Sequence, residues 1–209
     1  MTPLAAPDVV LPRPIIDAAR GHLASLGRCL LELESNLDHI EGWGAHLANV
    51  LIGGGRLLAL GNGGSAALAQ HLTSELVGRY LDERPPLSAI ALHADSSTTT
   101  AIVNDYGPTE VFARQVRAHG RPGDVLLALS TSGRSPNLMT AVEAARHAGL
   151  LTWALTGPAP SPLSRACHDS LSVEAPATAT VQEVHQVVVH LLCAAVDAVV
   201  LTEAVVPGR

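Results

Sequence analysis

DVLLALSTSGRS, residues 124–135, is the stretch that decides the fold. The aliphatic run Asp124–Leu129 has the length and composition of a strand buried on both faces, and it stops abruptly in four hydroxyl side chains, one glycine and one arginine. Apolar residues at helical spacing then continue to about His147. The same pattern occurs upstream. Arg56–Leu60 is a short aliphatic strand, followed by Gly61-Asn62-Gly63-Gly64-Ser65 and a helix to about Leu81. Leu87–Leu92 reads as a further strand, with helical segments on either side of Asn104-Asp105-Tyr106-Gly107. Downstream, Leu151–Leu155 and Ser170–Val173 read as the fourth and fifth strands, and a last helix spans about Thr180 to Thr202. Continuous apolar strands separated by helices imply an α/β fold with a parallel sheet covered on both faces. Ligands bind such sheets outside the carboxyl ends of the strands, where both glycine- and hydroxyl-rich loops fall.

Two helices precede this alternation. One runs from about Pro14 to Leu33; the other begins at Ser35 or Asn36 and stops at Gly53-Gly54-Gly55. Neither belongs to a strand–helix–strand unit, so they are expected to form a packing or oligomer arm. Residues 1–13 read as a proline-rich arm, and residues 14–209 as one domain.

Composition narrows the function. The net charge is −6 and no basic run occurs, so no direct nucleic-acid partner is expected. The chain has no lysine, which excludes a lysine Schiff base and the lysine of a nucleotide-binding P-loop. Cys29, Cys167 and Cys193 are widely spaced and read as small buried hydrophobes of a reducing compartment. The N-terminal residues lack the pattern of a signal peptide, and Gln182, Glu183, His185, His190 and Asp197 interrupt the long apolar stretch near the C-terminus. A cytoplasmic protein with no membrane partner is expected.

Ser130-Thr131-Ser132-Gly133-Arg134-Ser135 leaves a strand and opens a helix, where backbone N–H groups, the helix dipole and hydroxyl donors attract a phosphate. The plainer reading is a polar turn in which Ser135 caps the helix. Gly61–Ser65 is a second loop of the same kind. His71 and Glu75, four residues apart on one helix face, suit a divalent metal or acid–base work, although solvated His/Glu pairs are common. In VQEVHQVVVHLL, Gln182, His185 and His190 need polar partners, and a core histidine usually finds a backbone carbonyl. Gln182 and His190 would stand about 12 Å apart along a straight helix, so spacing alone leaves open which of them, or His185, joins the first pair.

GNGGSAALAQHLTSELVGRY, IVNDYG, GDVLLALSTSGRSPN and VQEVHQVVVH, in this order, resemble the SIS (sugar isomerase) domain family. Within it they resemble most the phosphoheptose isomerases, from about Asn36 to the end of the last helix. The resemblance implies a three-layer, flavodoxin-like sandwich with a five-stranded parallel sheet, and a homotetramer with active sites at subunit interfaces. It implies conversion of D-sedoheptulose 7-phosphate to D-glycero-D-manno-heptose 7-phosphate through an enediol. By position, His71, Glu75, Gln182 and His190 match zinc ligands, and Glu75 and His190 also match the acid–base pair. Asn62, Gly63, Gly64, Glu75, Asn104, Asp105 and Gln182 match positions that contact the substrate, with Ser130, Thr131, Ser132 and Ser135 matching the phosphate loop.

The chain departs from the family's pattern in three places. Arg134 stands where an asparagine is usual, Gly157–Pro162 replaces a glycine-rich turn, and Thr178–Val181 replaces a segment with arginine and often an acid. Two alternatives accompany the leading reading. One is a SIS isomerase of another ketose phosphate. The other is a non-catalytic SIS protein that binds a phosphosugar or regulates replication; retention of Glu75 and His190 argues against it.

Overall fold

A computed structural model of the chain describes residues 13–204. The proline-rich arm expected at the start lies outside the described residues, apart from Arg13, as do residues 205–209. Eight α-helices and five strands are described: α1 (Arg13–Leu33), α2 (Leu37–Ile52), β1 (Leu57–Gly61), α3 (Gly64–Val77), β2 (Ala89–Ala91), α4 (Ser96–Tyr106), α5 (Ala113–His119), β3 (Val125–Ser130), α6 (Pro136–His147), β4 (Leu151–Thr156), α7 (Pro162–Ala166), β5 (Asp169–Ser172) and α8 (Thr178–Ala204).

The five strands form one parallel sheet in the order β2-β1-β3-β4-β5. Strand alternation sorts the aliphatic residues into two cores. Leu57, Ala59, Val125, Leu127, Leu129, Trp153, Leu155 and Leu171 face α2, α3 and α8. Leu58, Leu60, Leu126, Ala128 and Ala154 face α4, α5, α6 and α7. Because both faces are covered, β1 and β3 are buried along their whole length, which explains why they read as unbroken apolar runs.

The chain leaves β1 toward one edge to make β2 and toward the other to make β3. The carboxyl ends of β1 and β3 therefore flank the point where strand order reverses, the place where a ligand crevice opens in this architecture. Gly61–Gly64 and Ser130–Ser135 both lie there.

The N-terminal helices differ in role. α2 is part of the core layer: Ile40, Trp43, Leu47, Ala48 and Leu51 are buried, and Trp43 stacks on Trp153 with centroids 4.7 Å apart. Asp169, at the start of β5, accepts hydrogen bonds from His39 Nε2 and Trp43 Nε1, both at 2.7 Å, and fixes α2 to the amino-terminal end of the sheet. Burial alone would raise this carboxyl's pKa, but the two ring N–H bonds and one from Ser170 N outweigh it and hold the pKa low. α1 buries only Cys29 and Leu33 and leaves Leu23 and Leu31 exposed, so it has the arm-like character expected of both helices.

Other boundaries move for local reasons. α3 stops at Val77 before Gly78, four residues short of the expected Leu81. β2 shortens to Ala89–Ala91, because Pro85-Pro86 precede it and it lies on the edge of the sheet. Asn104 and Asp105 lie inside the last turn of α4 rather than in a loop between helices. A short helix the sequence did not announce, α7, is started by a capping box between Ser161 and Ser164. α8 is the one described helix long and apolar enough to cross a membrane, but it is the helix that covers the sheet between α2 and α3.

Candidate active site

The loop after β3 is organised by its own hydroxyls. Ser130 Oγ accepts from Gly133 N–H at 3.1 Å, and Ser132 Oγ accepts from Arg134 N–H at 3.3 Å. Ser135 occupies the N-cap position of α6 with extended backbone, yet its side chain makes no capping bond, and Pro136 takes the first helical position. Ser135 and the positive end of α6 thus close the same loop, an arrangement that suits an anion. The loop after β4 supports it from behind: Gly157 N–H donates to Ser130 O at 3.3 Å. A Cβ on Gly157 would lie 2.1 Å from the carbonyl oxygen of Thr131, so only glycine fits there.

The loop after β1 meets this one. Asn62 and Asn137 exchange side-chain amide bonds at 3.1 and 3.0 Å, linking the Gly61–Gly64 turn to the first turn of α6. Gly63 has φ +55°, a conformation that glycine adopts without strain. Asn104 and Asp105 hydrogen-bond to each other at 2.7 Å and are exposed; among the described residues neither bonds to the two loops or to the histidines.

Two turns into α3, His71 and Glu75 project toward α8. His71 Nε2 lies 3.3 Å from Glu75 Oε1 and 3.1 Å from His190 Nε2. An N–H···N bond at this separation has one ring nitrogen donating and the other accepting. Gln186, one turn before His190, brings its Nε2 to 3.0 Å from the same nitrogen, and Tyr80 places its ring 5.7 Å from the imidazole. Of the four positions matched to zinc, three form a row of contacts through His71. Gln182 stands apart: its amide lies over Gly64, where a Cβ would approach within 2.6 Å of Nε2.

His185 is buried and points elsewhere, with Nε2 donating to Thr156 O at 3.1 Å and Nδ1 left without a partner. Burial pushes its pKa down to about 4, against a partial rise from the Thr156 bond. It is a core histidine that anchors α8 to the end of β4. Thr178–Val181, where the chain departs from the family's pattern, form the first turn of α8. There His22 of α1 approaches Thr180 Oγ1 at 3.4 Å and Glu183 Oε1 at 2.9 Å. Gln186 and Tyr80 were not singled out in the sequence. Gln186 had a usable signal, four residues before His190 on the same helix face, whereas Tyr80 had none.

A zinc ion bound at about 2.0–2.1 Å in tetrahedral geometry has ligand atoms roughly 3.3–3.4 Å apart. The separations of 3.1 and 3.3 Å in the Glu75–His71–His190 chain are close to this, and the donor types are those zinc prefers. Among the described residues no three such side chains already surround one point; they stand in a row. The donor types and the two separations through His71 fit the ion.

Residues 22–157 match the model of the SIS domain family. A phosphoheptose isomerase of Streptomyces coelicolor is 65% identical over 178 residues, which span 85% of this chain and 77% of that one. The chain belongs to the phosphoheptose isomerase family. Another member, from Thiobacillus denitrificans, is 45% identical over 192 residues, spanning 90% of this chain and 98% of that protein. Among solved structures of the family, that from Francisella tularensis superposes with a TM-score of 0.82 at 37% identity, over 88% of this chain and 98% of its own. The one from Neisseria gonorrhoeae gives 0.81 at 40% identity, over 88% and 99%. The expected α/β fold with five parallel strands is therefore the family's fold.

Proposed function

We propose that the chain is an aldose–ketose isomerase that converts D-sedoheptulose 7-phosphate to D-glycero-D-manno-heptose 7-phosphate. The observation that carries this reading is the contact row Glu75–His71–His190, a carboxylate and two imidazoles held together by α3 and α8. Family membership and the hydroxyl-rich loop after β3 support it.

The reaction takes a proton from C1 of the ketose, forms an enediolate, and returns a proton to C2, while the oxygens at C1 and C2 exchange theirs. It needs a base at carbon, an acid–base group at oxygen and stabilisation of the enediolate. Glu75 and His190 divide the two proton-transfer tasks. His71, between them, orients both. Ser130, Thr131, Ser132, Ser135 and the start of α6 hold the phosphate, while Asn62, Gly63, Gly64, Asn104, Asp105 and Gln182 hold the sugar chain. Zinc, if held by His71, Glu75 and His190, would supply Lewis-acid polarisation of the carbonyl; Gln182, the fourth matched position, would have to turn from Gly64 to join them.

The protein acts in the cytosol as a homotetramer with sites at subunit contacts. Exposed apolar side chains on α1 support assembly, as does a groove of about 620 Å³ between α2 and α8 lined by Leu37, Ala45, Leu191 and Ala198. The exposed position of Asn104 and Asp105, away from the histidines, accords with a site that a second subunit completes.

The test is incubation of the purified chain with sedoheptulose 7-phosphate, before and after chelation, following the aldose by NMR. Conversion that disappears on chelation and returns with zinc is expected. No conversion by folded, zinc-loaded protein would overturn the substrate assignment, and conversion that survives thorough chelation would remove zinc from the reaction.

A further inference from the structure

The connection between α3 and β2 carries a buried arginine that joins the two helices of the candidate site. Arg84 has a fully covered side chain and donates from Nε to Asp197 Oδ1 of α8 at 2.6 Å. Its Nη1 donates to Leu76 O at 2.9 Å and Pro85 O at 3.1 Å, and its Nη2 donates to Glu75 O at 2.7 Å. The carbonyls of Glu75 and Leu76 belong to the last turn of α3, where helical partners run out, and a cation there also meets the negative end of the helix dipole. Asp197 lies seven residues after His190, two turns along the same face of α8. One guanidinium thus ties the backbone of Glu75 to the helix that presents His190. The same connection carries Tyr80, whose ring lies beside the His190 imidazole. Asp197 Oδ2 is buried with no hydrogen-bond partner of its own, so Arg84 is the group that compensates this carboxylate.

We propose that Arg84, paired with Asp197, is a positioning residue for the isomerisation: it fixes α3 against α8 and so sets Glu75 relative to His71 and His190. This rests on the reading of Glu75 and His190 as the acid–base pair. The bond to Glu75's own carbonyl makes the role more than cohesion. Without it the last turn of α3 frays, and Glu75 is in that turn. Proton transfer between positioned groups tolerates little displacement; about 1 Å can cost roughly 10²-fold in rate.

Removing one partner alone strands a buried charge, so the principal variant replaces both, Arg84→Met with Asp197→Leu, in the full-length chain. Arg84→Lys is the second variant; its ammonium reaches Asp197 but cannot also cap two carbonyls in a planar fork. Two readouts are taken: imidazole nitrogen NMR of His71 and His190 without substrate, and kcat and KM for sedoheptulose 7-phosphate. The double variant is expected to unfold cooperatively, to shift the His71 and His190 signals, and to lose about 10–100-fold in kcat with KM within about threefold. Arg84→Lys is expected to fall between it and the wild type. Unmoved imidazole signals, or kcat within about twofold of the wild type, would overturn the proposal, and Arg84→Lys decides by the same criteria if the double variant does not fold. A wild-type chain that turns over no heptose phosphate would instead refute the isomerase reading, and the imidazole signals still decide the clamp.

Discussion

Part of the acid sensitivity of this fold should trace to one buried side chain, His185. Its ring is fully buried on α8, Nε2 donates to Thr156 O, and Nδ1 faces the core with no acceptor or donor. Protonation would place an uncompensated charge there, so burial pushes the folded-state pKa down to about 4 from the usual histidine value near 6.5. In the unfolded chain the ring titrates normally. Between those two values the unfolded state binds a proton that the folded state refuses, and stability falls as pH falls. Above the upper value the term is zero, and below the lower one both states are protonated and no more is lost. A depression of that size corresponds to on the order of 3 kcal/mol, a large share of a typical domain's stability.

The perturbation that isolates it is His185→Gln, whose amide can still donate toward Thr156 O but does not titrate. Urea unfolding of wild type and variant, at one fixed protein concentration, is followed from about pH 7.5 to about pH 4.5. Near neutrality the variant is expected to be less stable by about 1–2 kcal/mol, from imperfect packing. The difference should narrow and then reverse as pH drops. A difference that stays constant across the window would refute the reasoning.

Two further outcomes follow from the site. Glu75→Gln should fold as the wild type does and lose about 10²–10⁴-fold in kcat, the usual contribution of a general base; near-normal turnover would remove Glu75 from the chemistry. Gly157→Ala should push the Thr131 carbonyl out of place, because the new methyl lands 2.1 Å from it. The expected result is a loss of about 1–3 kcal/mol in stability and a raised KM; unchanged binding would show that the loop after β4 does not support the phosphate loop.

The parallel sheet was legible because β1, β3 and β4 are buried on both faces, and burial on both faces leaves an unbroken aliphatic run as its signature. The places of the two glycine- and hydroxyl-rich loops were legible for a related reason: where such a run ends in glycine and hydroxyls, the chain must turn at the edge of the core. β2 was harder to delimit, since an edge strand flanked by prolines pairs over only three residues. The place of α2 in the core was not legible, because its amphipathic pattern shows that it buries a face but not which surface receives it.

The site divides along the same line. Spacing within one helix set His71 beside Glu75, and the local sequence made Ser130–Ser135 a candidate anion loop; both are short-range facts, written in consecutive residues. Only the packing of α8 on α3 brought His190 to His71, put Gln186 beside it, laid Gln182 on Gly64, and turned His185 into the core. A 27-residue helix that is apolar around most of its circumference offers several nearly equivalent faces. Which polar residue meets which partner is fixed by distant groups, Arg84 on Asp197, His185 on Thr156 O and His22 on Glu183, each more than 25 residues away along the chain. Local sequence can specify a period and a turn; it carries no information on the rotation of one buried helix against another, which the joint packing of all the layers decides.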